Sequence, residues 1–91
     1  MLRKGMIWMP MDKKDQLVEL ISNAETSFYN GQLQEAFSLS LSAIKLDENC
    51  ADAYQYAANV CMSLSRYEDA IEYYQKVQIY IMLITQIEMN L

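Results

Sequence analysis

The segment from Ala51 to Val77 contains two stripes of apolar residues at helical spacing, separated by a short polar break. The first stripe repeats at intervals of three and four residues, as one face of an α-helix does, and consists of Tyr54, Ala57, Ala58 and Cys61. The second stripe follows the break at Ser63–Arg66 and consists of Tyr67, Ala70, Ile71, Tyr74 and Val77. Small side chains lie among large aromatic ones, which allows two helices to approach closely. We therefore predict a helical hairpin whose seam is formed by these inward-facing residues.

Residues that break helices are scarce in this chain. Its 91 residues include two glycines and one proline, and 53% of the residues are hydrophobic. No stretch sustains the alternation of apolar and polar residues that is typical of a half-buried strand. The length suits one domain. We therefore expect a single all-α domain.

Helical spacing and turn residues predict four helices. Asp12 or Asp15 can cap the start of helix one, which is expected to end at the turn that contains Gly31. The other helices are expected at about Leu33–Leu46, at about Ala51–Ser63, and from Arg66 or Tyr67 to Glu88 or beyond. The residues expected to face inward on the first two helices are Leu17, Leu20, Ile21, Ala24, Phe28, Leu33, Ala36, Phe37, Ser40, Leu41 and Ile44.

A shift of 34 residues superposes the first half of the chain on the second. Small residues then coincide, with Ala24 on Ala58 and Ala36 on Ala70. The other matched pairs are Leu20 with Tyr54, Ser27 with Cys61, Leu33 with Tyr67, Glu35 with Asp69, Phe37 with Ile71 and Ala43 with Val77. Repetition at a fixed period is typical of stacked units that each bury one face on the next. We therefore predict two helix-turn-helix units.

These units resemble the tetratricopeptide repeat, a helix-turn-helix unit of 34 residues. The resemblance rests on Asn23–Asn49 and Ala51–Val77. Its most telling pieces are GQLQEAF at 31–37, AIKLDEN at 43–49 followed by ADAYQYAA at 51–58, and RYEDAIEYY at 66–74. It implies a short right-handed α-solenoid (TPR-like) with an extended C-terminal helix. The expected organisation is a flexible tail at 1–11 and one domain at 12–91, which the resemblance divides into repeat one at about 17–50 and repeat two at about 51–84, followed by an extension at 85–91. The proline that the family usually carries after its second helix is replaced by Glu48 and Met82.

The resemblance implies a non-catalytic module that binds a peptide or a helix of another protein, as a scaffold or adaptor does. The family uses the concave groove that the first helices of the hairpins form. The matching surface of this chain contains Glu25, Tyr29, Asp52, Gln55, Tyr56 and Asn59, flanked by Val18, Ile21, Ser22 and Ser63. The alternative interpretation of this surface is an ordinary solvated face with two tyrosines.

The expected partner is a neutral or basic protein segment. Family members that grip a C-terminal carboxylate use Lys, Asn and Arg side chains, and Asn59 alone fits that set here. Glu25 and Asp52 instead give the surface negative charge, which favours a neutral or basic segment. Tyr29 and Tyr56 are flat anchors of the kind that dominate many interfaces.

An unbroken apolar run, IYIMLI at 79–84, lies in the second half of helix four. A membrane span needs about 20 apolar residues, and this run has six. Three other interpretations stay open: a cap that folds back on the chain, a remnant of a longer protein, and a surface for self-association. Exposed apolar patches commonly mark interfaces. The alternative function is therefore homo-oligomerisation, for example as a homodimer, through Ile79, Met82, Leu83 and Met89.

Catalysis and cofactor binding are not indicated by this sequence. It has no histidine, which is the commonest general base and a common zinc ligand, and no glycine-rich phosphate loop. Carboxylate pairs on one helix, such as Glu68 with Glu72, are explained by a solvated helix face. We expect no enzyme activity, no cofactor and no metal site.

Charge and cysteine content bear on the partners and the compartment. The net charge of −5, with seven basic residues scattered along the chain, argues against nucleic-acid binding. Cys50 and Cys61 are separated by about 16 Å along a helix that rises about 1.5 Å per residue, which is too far for a disulfide. We expect free cysteines and a cytoplasmic location. The apolar patch before Pro10 is too short for a secretory signal.

Overall fold

The computed structural model describes residues 12–89, with side chains through residue 87. Within this range the chain forms four α-helices and no strand: α1 at Lys13–Tyr29, α2 at Leu33–Leu46, α3 at Ala51–Ser63 and α4 at Tyr67–Met89. The all-α prediction and the four predicted helix positions are confirmed. The predicted tail at 1–11 and the last two residues of the predicted extension at 85–91 lie outside the described residues.

Aspartate side chains organise both the start of α1 and the connection between α2 and α3. Asp12 is the N-cap of α1, and its carboxylate accepts a hydrogen bond from the backbone N–H of Asp15 at 2.8 Å. This bond satisfies an N–H group that has no intrahelical acceptor. After α2, the Asp47 carboxylate accepts a hydrogen bond from the Asn49 N–H at 3.0 Å, which forms a tight Asx turn before α3.

The turn between α1 and α2 is a Schellman motif. The Gly31 N–H donates to the Phe28 carbonyl at 3.1 Å, and the Gln32 N–H donates to the Ser27 carbonyl at 2.8 Å. This motif requires a left-handed backbone at the residue after the C-cap, which glycine adopts most easily. Gly31 has a φ of 81°, so the prediction that Gly31 ends helix one in a turn is confirmed.

The turn between α3 and α4 repeats this geometry 34 residues later. The Ser65 N–H donates to the Met62 carbonyl at 3.1 Å, and the Arg66 N–H donates to the Cys61 carbonyl at 2.8 Å. Ser65 has a φ of 62°, a left-handed conformation that is unusual for serine. The 34-residue spacing of the sequence is therefore also present in the backbone of the two turns.

The helices pack in chain order, α1 on α2, α2 on α3 and α3 on α4, and α1 also contacts α3. The core is built largely of small side chains, which let the helix backbones approach closely. The fully buried residues are Ala24, Ala36, Ser40, Ala43, Ala53, Ala57, Ala58, Val60, Cys61 and Ala70. The predicted burial of Tyr54 and Val77 in the seam is also confirmed.

Three residues that were predicted to face inward are exposed. Leu41, Tyr67 and Ile71 have exposed fractions of 39%, 55% and 55%. Among the described helices, only α3 runs alongside α4, so the face of α4 that carries Tyr67 and Ile71 has no neighbouring helix. On α2, successive residues differ in direction by about 100°, and Ser40 occupies the buried position beside Leu41.

Two tyrosines, one on α3 and one on α4, bind the same backbone carbonyl just before α3 begins. Tyr54 and Tyr80 both donate a hydrogen bond to the carbonyl oxygen of Glu48, at 2.9 and 2.8 Å, and their rings lie 5.9 Å apart. Burial raises the pKa of Tyr54, and the neighbouring Tyr80 adds to this rise. Because Glu48 precedes α3, the residues of α4 after Tyr80 extend past the start of α3. The helix lengths agree with this, since α4 has 23 residues and α3 has 13.

Candidate functional site

A surface cavity of about 260 Å³ opens between α1 and the start of α3. Apolar side chains of α1, namely Leu17, Val18 and Ile21, form one part of its wall. The remaining lining residues are Ser22, Glu25, Cys50 and Asp52. Residues four positions apart lie on one face of a helix, which is why Leu17, Ile21 and Glu25 reach the same cavity. Glu25 and Asp52 of the predicted groove are therefore brought together here, with the predicted flanking residues of α1.

Tyr56 connects the two helices beside this cavity. Its OH donates a hydrogen bond to Oε2 of Glu25 at 2.9 Å, across 31 residues of sequence. Burial raises the pKa of Tyr56 to about 12, and the hydrogen bond to Glu25 and the negative charges of Glu25 and Asp52 contribute to the rise. A phenol beside carboxylates resists ionisation because its phenolate would add a like charge. Tyr56 is therefore a neutral donor at physiological pH, and it holds the Glu25 carboxylate in place.

Tyr29 extends this surface at the end of α1. Its side chain is 73% exposed, and its ring meets the ring of Phe28 edge to face at a centroid distance of 5.4 Å. Tyr29 also lies close enough to Tyr56 to contribute to its raised pKa. We name the combined region the α1–α3 surface, which consists of Leu17, Val18, Ile21, Glu25, Tyr29, Asp52 and Tyr56.

The other two predicted groove residues belong to a separate polar cluster between α3 and α4. The amide oxygen of Asn59 accepts hydrogen bonds from the Tyr74 OH at 2.6 Å and from Nε2 of Gln55 at 3.4 Å. All three side chains are partly buried. The structure therefore groups four of the six predicted groove residues on the α1–α3 surface. Asn59 instead bonds to Tyr74 of α4, and Gln55 bonds to Asn59.

Three residues contribute to these clusters without having been assigned to a site from the sequence. Leu17 belongs to the apolar stripe of α1. Helical spacing shows that this residue lies on the apolar face, but not whether it packs in the core or lines a cavity. Cys50 precedes α3 and carries no pattern of its own. Tyr74 belongs to the predicted seam. Because a partly buried tyrosine usually needs a hydrogen-bond partner for its OH, the sequence could have predicted that a polar side chain lies beside it. Its partner, Asn59, lies fifteen residues earlier.

The second half of α4 exposes apolar side chains in several directions. We name this region the α4 apolar surface, which consists of Ile79, Ile81, Met82, Leu83, Ile84 and Ile87, each at least half exposed. Three of the residues predicted to mediate self-association, Ile79, Met82 and Leu83, lie in this surface. The fourth, Met89, is the last residue of α4, and its side chain lies outside the described part of the chain.

The described residues contain few groups with reactive chemistry. Between residues 12 and 87, no three Cys, Asp or Glu side chains converge where a metal ion could bind. Cys50 and Cys61 are both free thiols, as predicted, and burial raises the pKa of Cys61, which lowers its reactivity. Across the described helices, none has the length and the apolar character that a membrane span requires.

Comparisons with known proteins give no match at any of three levels. No protein-family model, no curated protein and no solved structure matches this chain. Over residues 12–89, the molecule consists of two helical hairpins whose turns share one geometry.

Proposed function

We propose that this chain is a non-catalytic protein-interaction module of two tetratricopeptide-like hairpins, and that it binds a peptide or helical segment of another protein on the α1–α3 surface. The 34-residue period supports the family assignment, because it is present in the residue pattern and in the hydrogen bonds of both turns. The contact between α1 and α3 also supports it, since the family binds its partners on the first helices of the hairpins.

The observation that carries the binding proposal is the cavity between α1 and α3. It combines an apolar wall with two carboxylates and lies beside two tyrosines, Tyr29 and Tyr56. Concave apolar sites with a few placed polar groups are typical of binding sites, and tyrosine is enriched among the residues that dominate interface energies. Glu25 and Asp52 favour a neutral or basic segment, in a chain whose net charge is −5. We propose the cytoplasm as the site of action, because the two cysteines are positioned as free thiols.

Peptides selected from a random displayed library against the immobilised chain test this proposal. We expect Tyr56→Ala to weaken the binding of the selected peptides at least tenfold, which corresponds to about 1.4 kcal/mol. Tyr67→Ala is the matched control, because Tyr67 is an exposed tyrosine on α4, outside the α1–α3 surface. Equal affinities for the Tyr56→Ala and Tyr67→Ala variants would reject the α1–α3 surface as the binding site.

A second candidate function, self-association, is favoured by the α4 apolar surface. The residues after Tyr80 extend past the start of α3, where no described helix covers them. All six side chains of the α4 apolar surface are at least half exposed. Exposed apolar area of this kind favours association because its removal from water is worth about 25 cal/mol per Å². Ile79, Met82, Leu83 and Ile87 occupy neighbouring directions on α4 and would form the centre of such an interface.

The mass in solution, measured by light scattering after size exclusion, tests self-association. We expect Leu83→Glu to convert a dimer of the full chain to a monomer. Ile71→Glu is the matched control, because Ile71 has the same exposed fraction, 55%, and lies on the same helix near its start. A full chain that is monomeric at high protein concentration would reject this second function.

A further inference from the structure

The cavity between α1 and α3 has the composition of a pocket for a long cationic side chain. Leu17, Val18 and Ile21 provide an apolar wall from one helix. Glu25 of the same helix and Asp52 of the other provide two carboxylates within the same lining. Arginine has an apolar stem and a charged head, so a pocket with one apolar side and one acidic side matches both parts of the side chain.

The two carboxylates of the cavity have no basic partner within the described residues. Neither Glu25 nor Asp52 forms an ion pair there. Asp69, an acidic residue of the second hairpin, differs in this respect, because it pairs with Arg66 at 2.7 Å. Both carboxylates would attract a cation that is bound in the cavity. The charge of the cavity is therefore complementary to a positively charged ligand.

Tyr56 prepares Glu25 for such a ligand. Its OH donates a hydrogen bond to Oε2 of the carboxylate at 2.9 Å. This bond between α3 and α1 fixes the orientation of the carboxylate. An ionised carboxylate has about four acceptor positions on its two oxygens, so one hydrogen bond from Tyr56 leaves most of its capacity for a second donor. A carboxylate that is already fixed loses less entropy when it binds a partner.

We propose that this cavity is a subsite for one arginine side chain of the bound protein segment, with the stem of the side chain along Leu17, Val18 and Ile21 and the guanidinium between Glu25 and Asp52. The inference deepens the proposed function and rests on it. Arginine fits better than lysine because its guanidinium is more weakly hydrated and has five donors that can reach two acceptors from different helices.

The test is a titration of the full chain with N-acetyl-arginine amide, followed through the backbone amide signals in NMR spectra. We expect saturable shifts at Val18, Ile21 and Asp52. N-acetyl-citrulline amide has the same shape without the charge, and we expect it to bind at least tenfold more weakly. Equal binding of the two compounds would overturn the arginine subsite.

Two variants of equal net charge sharpen this titration. Asp52→Asn removes a carboxylate in the first turn of α3, inside the cavity, and Glu68→Gln removes one in the first turn of α4, away from it. We expect Asp52→Asn to lower the affinity for N-acetyl-arginine amide at least fivefold and Glu68→Gln to leave it unchanged. Equal effects of the two variants would assign the binding to overall charge and overturn the subsite.

The same measurements separate this inference from the proposed function. If selected peptides bind the α1–α3 surface while arginine and citrulline amides bind equally, the subsite fails and the proposed function stands. If the arginine amide binds in the cavity while the affinities of all selected peptides are insensitive to Tyr56→Ala, the cavity is a site for an arginine side chain. The proposed function then fails, and with it the assignment of that side chain to a bound protein segment.

Discussion

Tyr56→Phe removes one hydroxyl and leaves the aromatic ring in place. The hydroxyl donates the hydrogen bond to Glu25 that joins α3 to α1 at 2.9 Å. The substitution therefore isolates one contact between the first and second hairpins, with little change in packing. It is the sharpest perturbation of the α1–α3 surface that the structure offers.

The expected cost follows from the charge and exposure of the acceptor. A hydrogen bond to a charged group contributes about 1.5–3 kcal/mol to stability when it is buried. Glu25 is exposed, and water screens and competes for its carboxylate, so we expect about 1 kcal/mol. For a domain of this size, such a loss lowers the melting temperature by about 4–8 °C.

A double-mutant cycle measures this contribution. Urea unfolding of the unmodified chain, Tyr56→Phe, Glu25→Ala and the double variant gives the coupling energy between the two side chains, and effects on helix propensity cancel. We expect a coupling of about 1 kcal/mol. Tyr29→Phe is the control, because Tyr29 is 73% exposed, and we expect it to change stability by less than about 0.3 kcal/mol.

A coupling energy below about 0.3 kcal/mol, the usual error of additivity, would refute this reasoning. It would mean that Tyr56 and Glu25 do not contact each other in solution. The argument that Tyr56 fixes the Glu25 carboxylate beside the cavity would then be lost as well.

Three further predictions concern the turns, the core and alkaline pH. Ser65→Gly should raise the free energy of unfolding in urea by about 0.5–1 kcal/mol, because glycine adopts the left-handed backbone of this position without the strain that serine has there. Gly31→Ala should lower the free energy of unfolding by about 1 kcal/mol for the opposite reason. Changes of the same sign would contradict the shared turn geometry. Val60→Ala should lower the free energy of unfolding by about 1.5–3 kcal/mol, because Val60 is fully buried. Ile71→Ala should lower it by less than about 0.5 kcal/mol, because Ile71 is exposed. Equal losses would place Ile71 in the core. The pKa of Tyr56 is raised from 10.0 to about 12, so between these pH values the folded chain retains a proton that the unfolded chain releases. The free energy of unfolding should therefore fall from pH 10 to pH 12, and it should fall less steeply in Tyr56→Phe.

Local sequence signals were sufficient for the helices and the turns. Helical spacing, the Asp12 cap and the Gly31 turn predicted elements that the structure has at the expected positions. Alanines were reliable indicators of the seam, because a small residue at helical spacing beside aromatic residues is explained by close helix packing. Ala57, Ala58 and Ala70 are all fully buried.

Burial on the outer helices was less predictable, because it depends on which neighbours are present. Ile71 has the right spacing for a core position, yet no described helix covers that face of α4. Helical spacing identifies an apolar face but not whether a partner covers it.

The candidate site was predictable in part for the same reason. The 34-residue shift indicated α1 and α3, between which the cavity opens, and the two carboxylates in its lining. It could not show that Asn59 turns towards Tyr74, because that contact depends on the side-chain packing of α3 against α4. Nor could it show the hydrogen bond between Tyr56 and Glu25, which depends on how closely the two hairpins stack.

The most direct test of the proposed function is the position of a bound peptide on the folded chain. Backbone amide signals of the full chain would be recorded by NMR during titration with the tightest peptide selected from the random library. We predict that the largest shifts fall at Val18, Asp52 and Tyr56, on the α1–α3 surface. Shifts concentrated at Ile79, Met82 and Leu83 on α4, with α1 unperturbed, would contradict the proposal and identify the α4 apolar surface as the binding site.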